Sequence, residues 1–529
     1  MPAAGTGRRD VVVVGGGHNA LTAAAYLARA GLSVLLLERD DHLGGATVSA
    51  EVFPGTGARL SRYSYLVSLL PQQVVDDLGL SIPLRRRRFA SYTPRPGTDV
   101  GLLVDNLDAA ATQRSFETVG AGRDLAGFTD LQERTARLAR AVWPSVTGPL
   151  PRRSELRRAL RDDATWDAFV ERPLGEVIER SVRDDLVRGV VLTDGLISTF
   201  ARAHQADLQQ NVCFLYHVIG GGTGAWDVPV GGMGAVSGAL ESAARDAGAT
   251  LVTGAEVTAV DGDGVVSYAE GDAQQQVRGT YVLWGAAPAH LARARGTEPP
   301  VAEGAQIKVN LLLSRLPRLR ERDVAPEAAF GGTLHVNESY SQLDSAYAVA
   351  ESGALPRPVP AEIYCHSLTD PTILSPRLRE QGAQTLTVFT LQTPHRLIDH
   401  DRPDEQRAQW ERAVLDSISS VLAEPLDDVV LRGPDGRPCV ETRTTLDLER
   451  SPGMPGGSIF HGPLDWPFAE DDEPLDTPAA RWGVATDDSR ILLCGAGSRR
   501  GGGVSGLGGY HAAQAVLEDL RRARAGHAR

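Results

Sequence analysis

The chain has 529 residues, 42% hydrophobic and 23% charged, the length and balance of a globular protein with a large core shared by two joined domains. A formal net charge of -13 argues against nucleic-acid binding and against broad attachment to anionic lipid, and no apolar run approaches the ~20 residues that span a bilayer. The opening MPAAGTGRRD has no apolar signal core, so the expected location is cytoplasmic.

Val11 to Val14 is a β-branched run stopped by Gly15, Gly16 and Gly17, which reads as a strand buried on both faces of a parallel sheet. An alanine-rich helix is expected from about Asn19 to Ala30, closed by Gly31, before a second buried strand from Ser33 to Leu37. Gly15, Gly17 and Ala20 give the dinucleotide spacing G-x-G-x-x-A between these strands. Gly15 permits the turn, Gly17 lets backbone approach a pyrophosphate, and Ala20 lets the helix lie close on the strand. The helix N-terminus offers unpaired N–H groups to phosphate. Glu38, ending the second strand, is placed to accept from a ribose 2′-hydroxyl and would repel a 2′-phosphate, so FAD or NAD is expected and NADP is not.

Beyond Glu38 and Arg39, a second glycine pair follows in Leu43-Gly44-Gly45-Ala46. The G-x-G-H-N-x-L turn at Gly15 to Leu21, which brings in His18 and Asn19, joins this L-G-G-A turn and the S-R-x-S-Y-L-x-S-L-L segment at Ser61 to Leu70. Together they resemble the start of the FAD-dependent phytoene desaturase and amine oxidase superfamily, and within it the branch represented by pyridine nucleotide-disulfide oxidoreductase domain-containing protein 2. The resemblance implies that FAD is the cofactor and that the Gly44–Gly45 pair packs its backbone against pyrophosphate and ribitol. Ala46 stands where amine oxidases usually carry arginine, a departure from that branch.

Further on, Leu84 to Phe89 carries four consecutive arginines, expected as a solvated face or a strand lip at a domain boundary, with attraction of an anionic substrate as the other reading. From about Asp105 to Gln209 the pattern is helical, with pieces at Phe128 to Trp143, Ser154 to Phe169 and Leu174 to Leu192. In related flavoproteins such an insert caps the substrate domain; its charged faces and the low aromatic content, 5%, argue against membrane docking. Val228 to Gly234 opens a helix ending near Gly248, followed by strands at Ala249 to Val252, Ala255 to Val260 and Tyr281 to Ala286. The resemblance maps the adenine contact to main-chain groups at Val257.

Gln306 to Leu313 alternates cleanly, with Lys308, Asn310 and Leu312 on one strand face and Ile307, Val309, Leu311 and Leu313 on the other. Its two polar groups are expected to point toward solvent or a cavity. Gly331 to Val336, Ala361 to Cys365 and Thr385 to Leu391 extend the same sheet, and Pro403 to Val421 supplies a covering helix. At the end, Ile491 to Leu493 leads into a glycine turn and a helix through Ala512 to Leu520. Cys494 to Gly506 matches the family's C-G-x-G-x-x-x-G-G-G-V-x-G, which assigns Gly495, Gly503, Val504 and Ser505 to the flavin.

The expected fold is α/β: a Rossmann-like FAD-binding domain (1–75, 226–300, 440–529) interleaved with an α+β substrate domain of antiparallel sheet and helical cap (76–225, 301–439). The expected function is an FAD-dependent dehydrogenase or desaturase acting on a small or isoprenoid-like molecule. The alternatives are a flavin amine or amino-acid oxidase and a non-catalytic lipid-binding chaperone of the same fold. A single dinucleotide fingerprint points to oxygen, a quinone or another acceptor for the electrons. Candidate bases are His217, His335 and His461. Lys308 is the only lysine among 54 basic residues, as if retained where a compact ammonium is needed. Cys213, Cys365, Cys439 and Cys494 form no C-x-x-C, so no local redox disulfide is expected, and no histidine spacing suggests a metal.

Overall fold

A computed structural model describes residues 7–527; the first six residues of the opening segment, read above for a signal core, lie outside the described residues. The first strand, β1 (Arg8–Val14), the helix α1 (His18–Arg29) and the second strand, β2 (Val34–Leu37), form the expected βαβ unit. β1 lies parallel between β2 and the Ala273–Trp284 strand, which pairs in parallel with Ile491–Leu493 at its far end. Thr250–Val252 continues the sheet beside β2, and the antiparallel Ala255–Val260 and Val265–Glu270 complete it on the other side. Pieces from the beginning, middle and end of the chain therefore make one sheet, Rossmann-like in its parallel part.

α1 is sandwiched closely between this sheet and the final helix, Leu507–His527. A Cβ on Gly509 would stand 1.7 Å from the Asn19 carbonyl oxygen, so the two helices touch backbone to backbone there. Gly509→Ala is expected to destabilise the fold by about 3 kcal/mol or more, because neither backbone can give way. Gly238→Ala, on an exposed turn of the Met233–Asp246 helix with nothing within 4 Å, is expected to stabilise by ~0.5–1 kcal/mol. Urea midpoints of the two variants moving the same way would contradict this packing.

The second sheet runs Val440–Arg443, Lys308–Leu313, Gln384–Thr390, Ala361–Tyr364, Thr333–Val336, Phe89–Pro94 and Gly101–Asp105. It is antiparallel except where Thr333–Leu334 meets Ser91–Tyr92 in parallel. The strands at 89–94 and 101–105 add to the predicted elements, and 440–443 joins this sheet and not the FAD-binding segment 440–529 expected from the sequence. All six residues of Lys308–Leu313 are buried. Val309, Leu311 and Leu313 pack with Trp410, Val414 and Ile418 of the Pro403–Ser419 helix, while the Lys308–Asn310 face lies against the Arg62–Tyr65 segment.

The cap is a helical layer. Leu125–Val142 is its longest member, burying Phe128, Leu131 and Leu138. The span 174–192 divides into Leu174–Ser181 and Asp185–Leu192, because Asp184 accepts from the N–H groups of Leu186 and Val187 and starts a new helix. Ser154 to Phe169 likewise divides, at a left-handed Arg161. Leu84–Arg86 pairs with Asp227–Pro229 as a two-stranded ribbon where the chain passes from one sheet to the other.

Candidate active site

The three glycine segments close on one another through main-chain groups. The Gly16 N–H donates to Glu38 Oε2 at 2.5 Å, the Asp40 N–H to Glu38 Oε1 at 2.9 Å, and the Gly44 N–H to the Gly16 carbonyl at 2.9 Å. Asn19 Nδ2 donates to the Gly501 carbonyl at 3.0 Å. His18 Nε2 lies 3.1 Å from the Gly503 carbonyl, which only accepts, so the proton sits on Nε2 and Nδ1 accepts from Thr47 Oγ1 at 3.0 Å. Burial pushes His18 down to about 4, which keeps the ring neutral and this tautomer fixed. Segments near residues 18, 47 and 503 are thereby joined by one imidazole.

These turns form one end of a cavity of ≈ 1110 Å³. From the first turn it is lined by Gly15, Gly17, His18 and Asn19, and from the second strand by Glu38 and Arg39. Gly45, Ala46, Val257, Gly503 and Val504 line it too. Four of the expected residues stand behind the wall. Ala20 backs onto Gly285, where a Cβ would come within 2.8 Å of its own; Gly44 is closed in by Val48 and Ser237. Gly495 abuts the Gly285 carbonyl, and Ser505 Oγ accepts from the Leu507 N–H at the start of the final helix.

The residues fit FAD. A Cβ on Gly17 meets no protein atom within 4 Å, so the turn leaves a space that any side chain would fill. A carboxylate at the end of β2, main-chain N–H groups at the α1 N-terminus and the glycine-rich turn before the final helix would supply ribose and phosphate partners.

All four candidate chemical residues, Lys308, His217, His335 and His461, line the same cavity. Lys308 is almost wholly buried; its Nζ donates to the Tyr63 carbonyl and stands 4.7 Å from the centroid of the Tyr65 ring. Burial, only partly offset by Glu441, pulls its ammonium down to about 7. Burial also pushes His461 down to about 4, and its Nδ1 is buried without a partner. Burial works against protonation of His217, yet Cys213 and Asp194 raise it to about 9. Its ring stacks on Trp226 with centroids 5.4 Å apart, and its Nδ1 donates to the Cys213 carbonyl at 2.8 Å.

His335 belongs to a buried polar network that sequence spacing did not reveal. Its Nδ1 lies 2.7 Å from Glu338 Oε2 and 3.8 Å from Glu362 Oε1. Thr193 Oγ1 lies 3.0 Å from a carboxylate oxygen of each glutamate, and the Tyr364 hydroxyl donates to Glu362. Burial raises Glu338, and against burial the two carboxylates raise His335. The ligand atoms of His335, Glu338 and Glu362 all lie within 4.8 Å of one another, a grouping that the linear spacing of histidines gives no sign of. The only signal was strand pairing, since His335 and Glu362 are register partners.

The arginine run departs from the expected solvated face at one position. Arg86 and Arg87 both line the cavity, but Arg86 and Arg88 pair with Asp227 and Asp105, whereas Arg87 meets no carboxylate among the described residues. All four cysteines are buried and unpaired, so a disulfide has no part in the site. No helix among the described residues is long and apolar enough to cross a membrane.

Residues 10–106 match the family model of FAD-dependent oxidoreductases. Two solved structures share the fold: an oxidoreductase from Methanosarcina mazei (TM-score 0.55, 15% identity, 97% of this chain and 99% of that one) and putrescine oxidase bound to putrescine (TM-score 0.56, 18% identity, 97% and 99%). An uncharacterised protein of Mycobacterium tuberculosis is 54% identical over 97% of this chain and 98% of its own. Pyridine nucleotide-disulfide oxidoreductase domain-containing protein 2 of Rattus norvegicus is 30% identical over 97% of this chain and 94% of its own. The chain is an FAD-dependent oxidoreductase and belongs to the family of that rat protein.

Proposed function

We propose that this oxidoreductase is a dehydrogenase or desaturase that removes two hydrogens from a small or isoprenoid-like substrate, leaving a new C=C, C=N or C=O bond. One observation carries the reading: the glycine turns that fit FAD and the ionisable wall of Lys308, His335 and Tyr364 line a single cavity. Bound FAD would supply the hydride acceptor at flavin N5, and oxygen, a quinone or another acceptor would take the electrons onward.

The chain supplies orientation and proton handling. Phe128, Leu131 and Phe214 of the cap line the cavity and exclude water from the reacting carbon. Lys308, held near 7, stands close to balance between its two protonation states at neutral pH. His217, at about 9, is set to hold a proton, and His461, at about 4, to be without one. The segments 1–75, 226–300 and most of 440–529 would hold the cofactor, and the remainder the substrate.

Anaerobic mixing with candidate substrates tests the reading. The expected result is bleaching of the flavin with a product two hydrogens lighter. Peroxide released with an amine substrate would favour the oxidase alternative, and a colourless protein that takes up no FAD would favour a binding role.

A further inference from the structure

We propose that Arg87 anchors a carboxylate, so that the substrate is an amphipathic acid with its anionic end at Arg87 and its apolar body under the cap. This rests on the reading of the cavity as a chamber for flavin and substrate together.

The four consecutive arginines are not equivalent. Arg85 Nη1 donates to the Thr369 carbonyl at 2.9 Å. Arg86 clamps Asp227 through Nε and Nη2, both at 3.1 Å, and Arg88 clamps Asp105 through the same edge at 3.1 and 2.8 Å. Arg87 makes one hydrogen bond, from Nη1 to Thr333 Oγ1 at 3.2 Å. Its Nε is buried with no acceptor, and among the described residues no carboxylate lies within ion-pair distance of it. Its Nη2, the atom that Arg86 and Arg88 place on Asp227 and Asp105, therefore meets no carboxylate among the described residues. A half-buried guanidinium that lines a cavity without a counter-ion is open to an anion, and its planar fork matches a carboxylate.

The surroundings narrow the choice of anion. Arg87 lies 5.7 Å from the Tyr364 ring centroid, and Glu362, Asp227 and Tyr65 are charged or ionisable neighbours. Glu362 is occupied by Thr193 and Tyr364, and Asp227 by Arg86. Two acids close by oppose a dianion such as a phosphate monoester more than a singly charged carboxylate. Beyond Arg87 the same cavity is lined by Phe128, Leu131, Val190, Val191, Ile197 and Phe214, an apolar wall suited to a hydrocarbon body.

The test uses FAD-loaded protein titrated with decanoate, decanamide and decylamine, read by the flavin difference spectrum and by calorimetry. Decanoate is expected to bind at least about tenfold more tightly than decanamide or decylamine. Arg87→Gln should weaken decanoate by at least about tenfold, leave decanamide within about twofold, and keep full flavin content; Arg85→Gln should change none of the three. Equal affinities in the unmodified protein, tightest binding of decylamine, or an undiminished preference in Arg87→Gln would overturn the assignment. The comparison of probes on the unmodified protein decides the matter even where the variant folds poorly. A yellow protein indifferent to head-group charge defeats the carboxylate alone, whereas a colourless one that cannot be loaded defeats the chamber as well.

Discussion

Gly17→Val is expected to yield a folded protein with less than about a tenth of a flavin per chain. Gly17 has φ -69 and ψ 167, a conformation open to any L-residue, and an added Cβ meets no protein atom within 4 Å. The new side chain therefore costs the fold little, beyond about 1 kcal/mol for a poorer helix start, and the unfolding midpoint of the cofactor-free forms should agree within about 3 °C. What it fills is the space in front of the α1 N-terminus where the pyrophosphate would lie. Gly16→Ala makes the informative contrast, because its Cβ would meet Leu43 at 2.5 Å and Glu38 at 3.0 Å. That variant should lose stability as well as flavin. Absorbance at the flavin band, protein concentration and a melting curve are sufficient, and full occupancy in Gly17→Val would remove the turn from the cofactor site.

Lys308→Met is expected to slow flavin reduction or reoxidation by about a hundredfold and to abolish an inflection near pH 7 in the affected step. Loss of fold cannot account for such a result, and the sign of the proton linkage says why. In the folded chain Lys308 titrates at about 7, below its ordinary 10.5. Between those values the unfolded chain holds a proton that the folded chain lacks, so stability rises with pH across the window and the lysine is a burden at its lower end. Replacing a buried amine by a thioether of similar length should leave stability at pH 7 equal or higher. Stopped-flow traces within about twofold of the unmodified enzyme in both half-reactions would exclude Lys308 from the chemistry.

The flavin end of the site was legible because each part is local. A strand, a glycine turn and a helix start occupy a dozen contiguous residues, and their order fixes the geometry before any long-range contact is known. Lys308 was legible for a different reason: strict alternation from Ile307 to Leu313 put it on the face opposite the apolar packing. The polar wall was not legible. Thr193, His335, Glu362 and Arg87 come from four distant stretches, and only the register of Thr333–Val336 against Ala361–Tyr364 sets His335 opposite Glu362. The strand at 89–94 follows directly on Arg85 to Arg88, whose charges mask its apolar pattern. Leu174 to Leu192 has helical periodicity throughout, and its break depends on a capping bond by Asp184 that apolar spacing does not report.

The imidazole of His18 and the amide of Asn19 reach carbonyls of residues 503 and 501, nearly five hundred positions downstream. During synthesis at ~5–20 residues per second, the first turn must wait roughly half a minute to a minute and a half before these partners leave the ribosome. A nascent chain stalled before residue 501 therefore lacks the bonds that join the first glycine turn to the last.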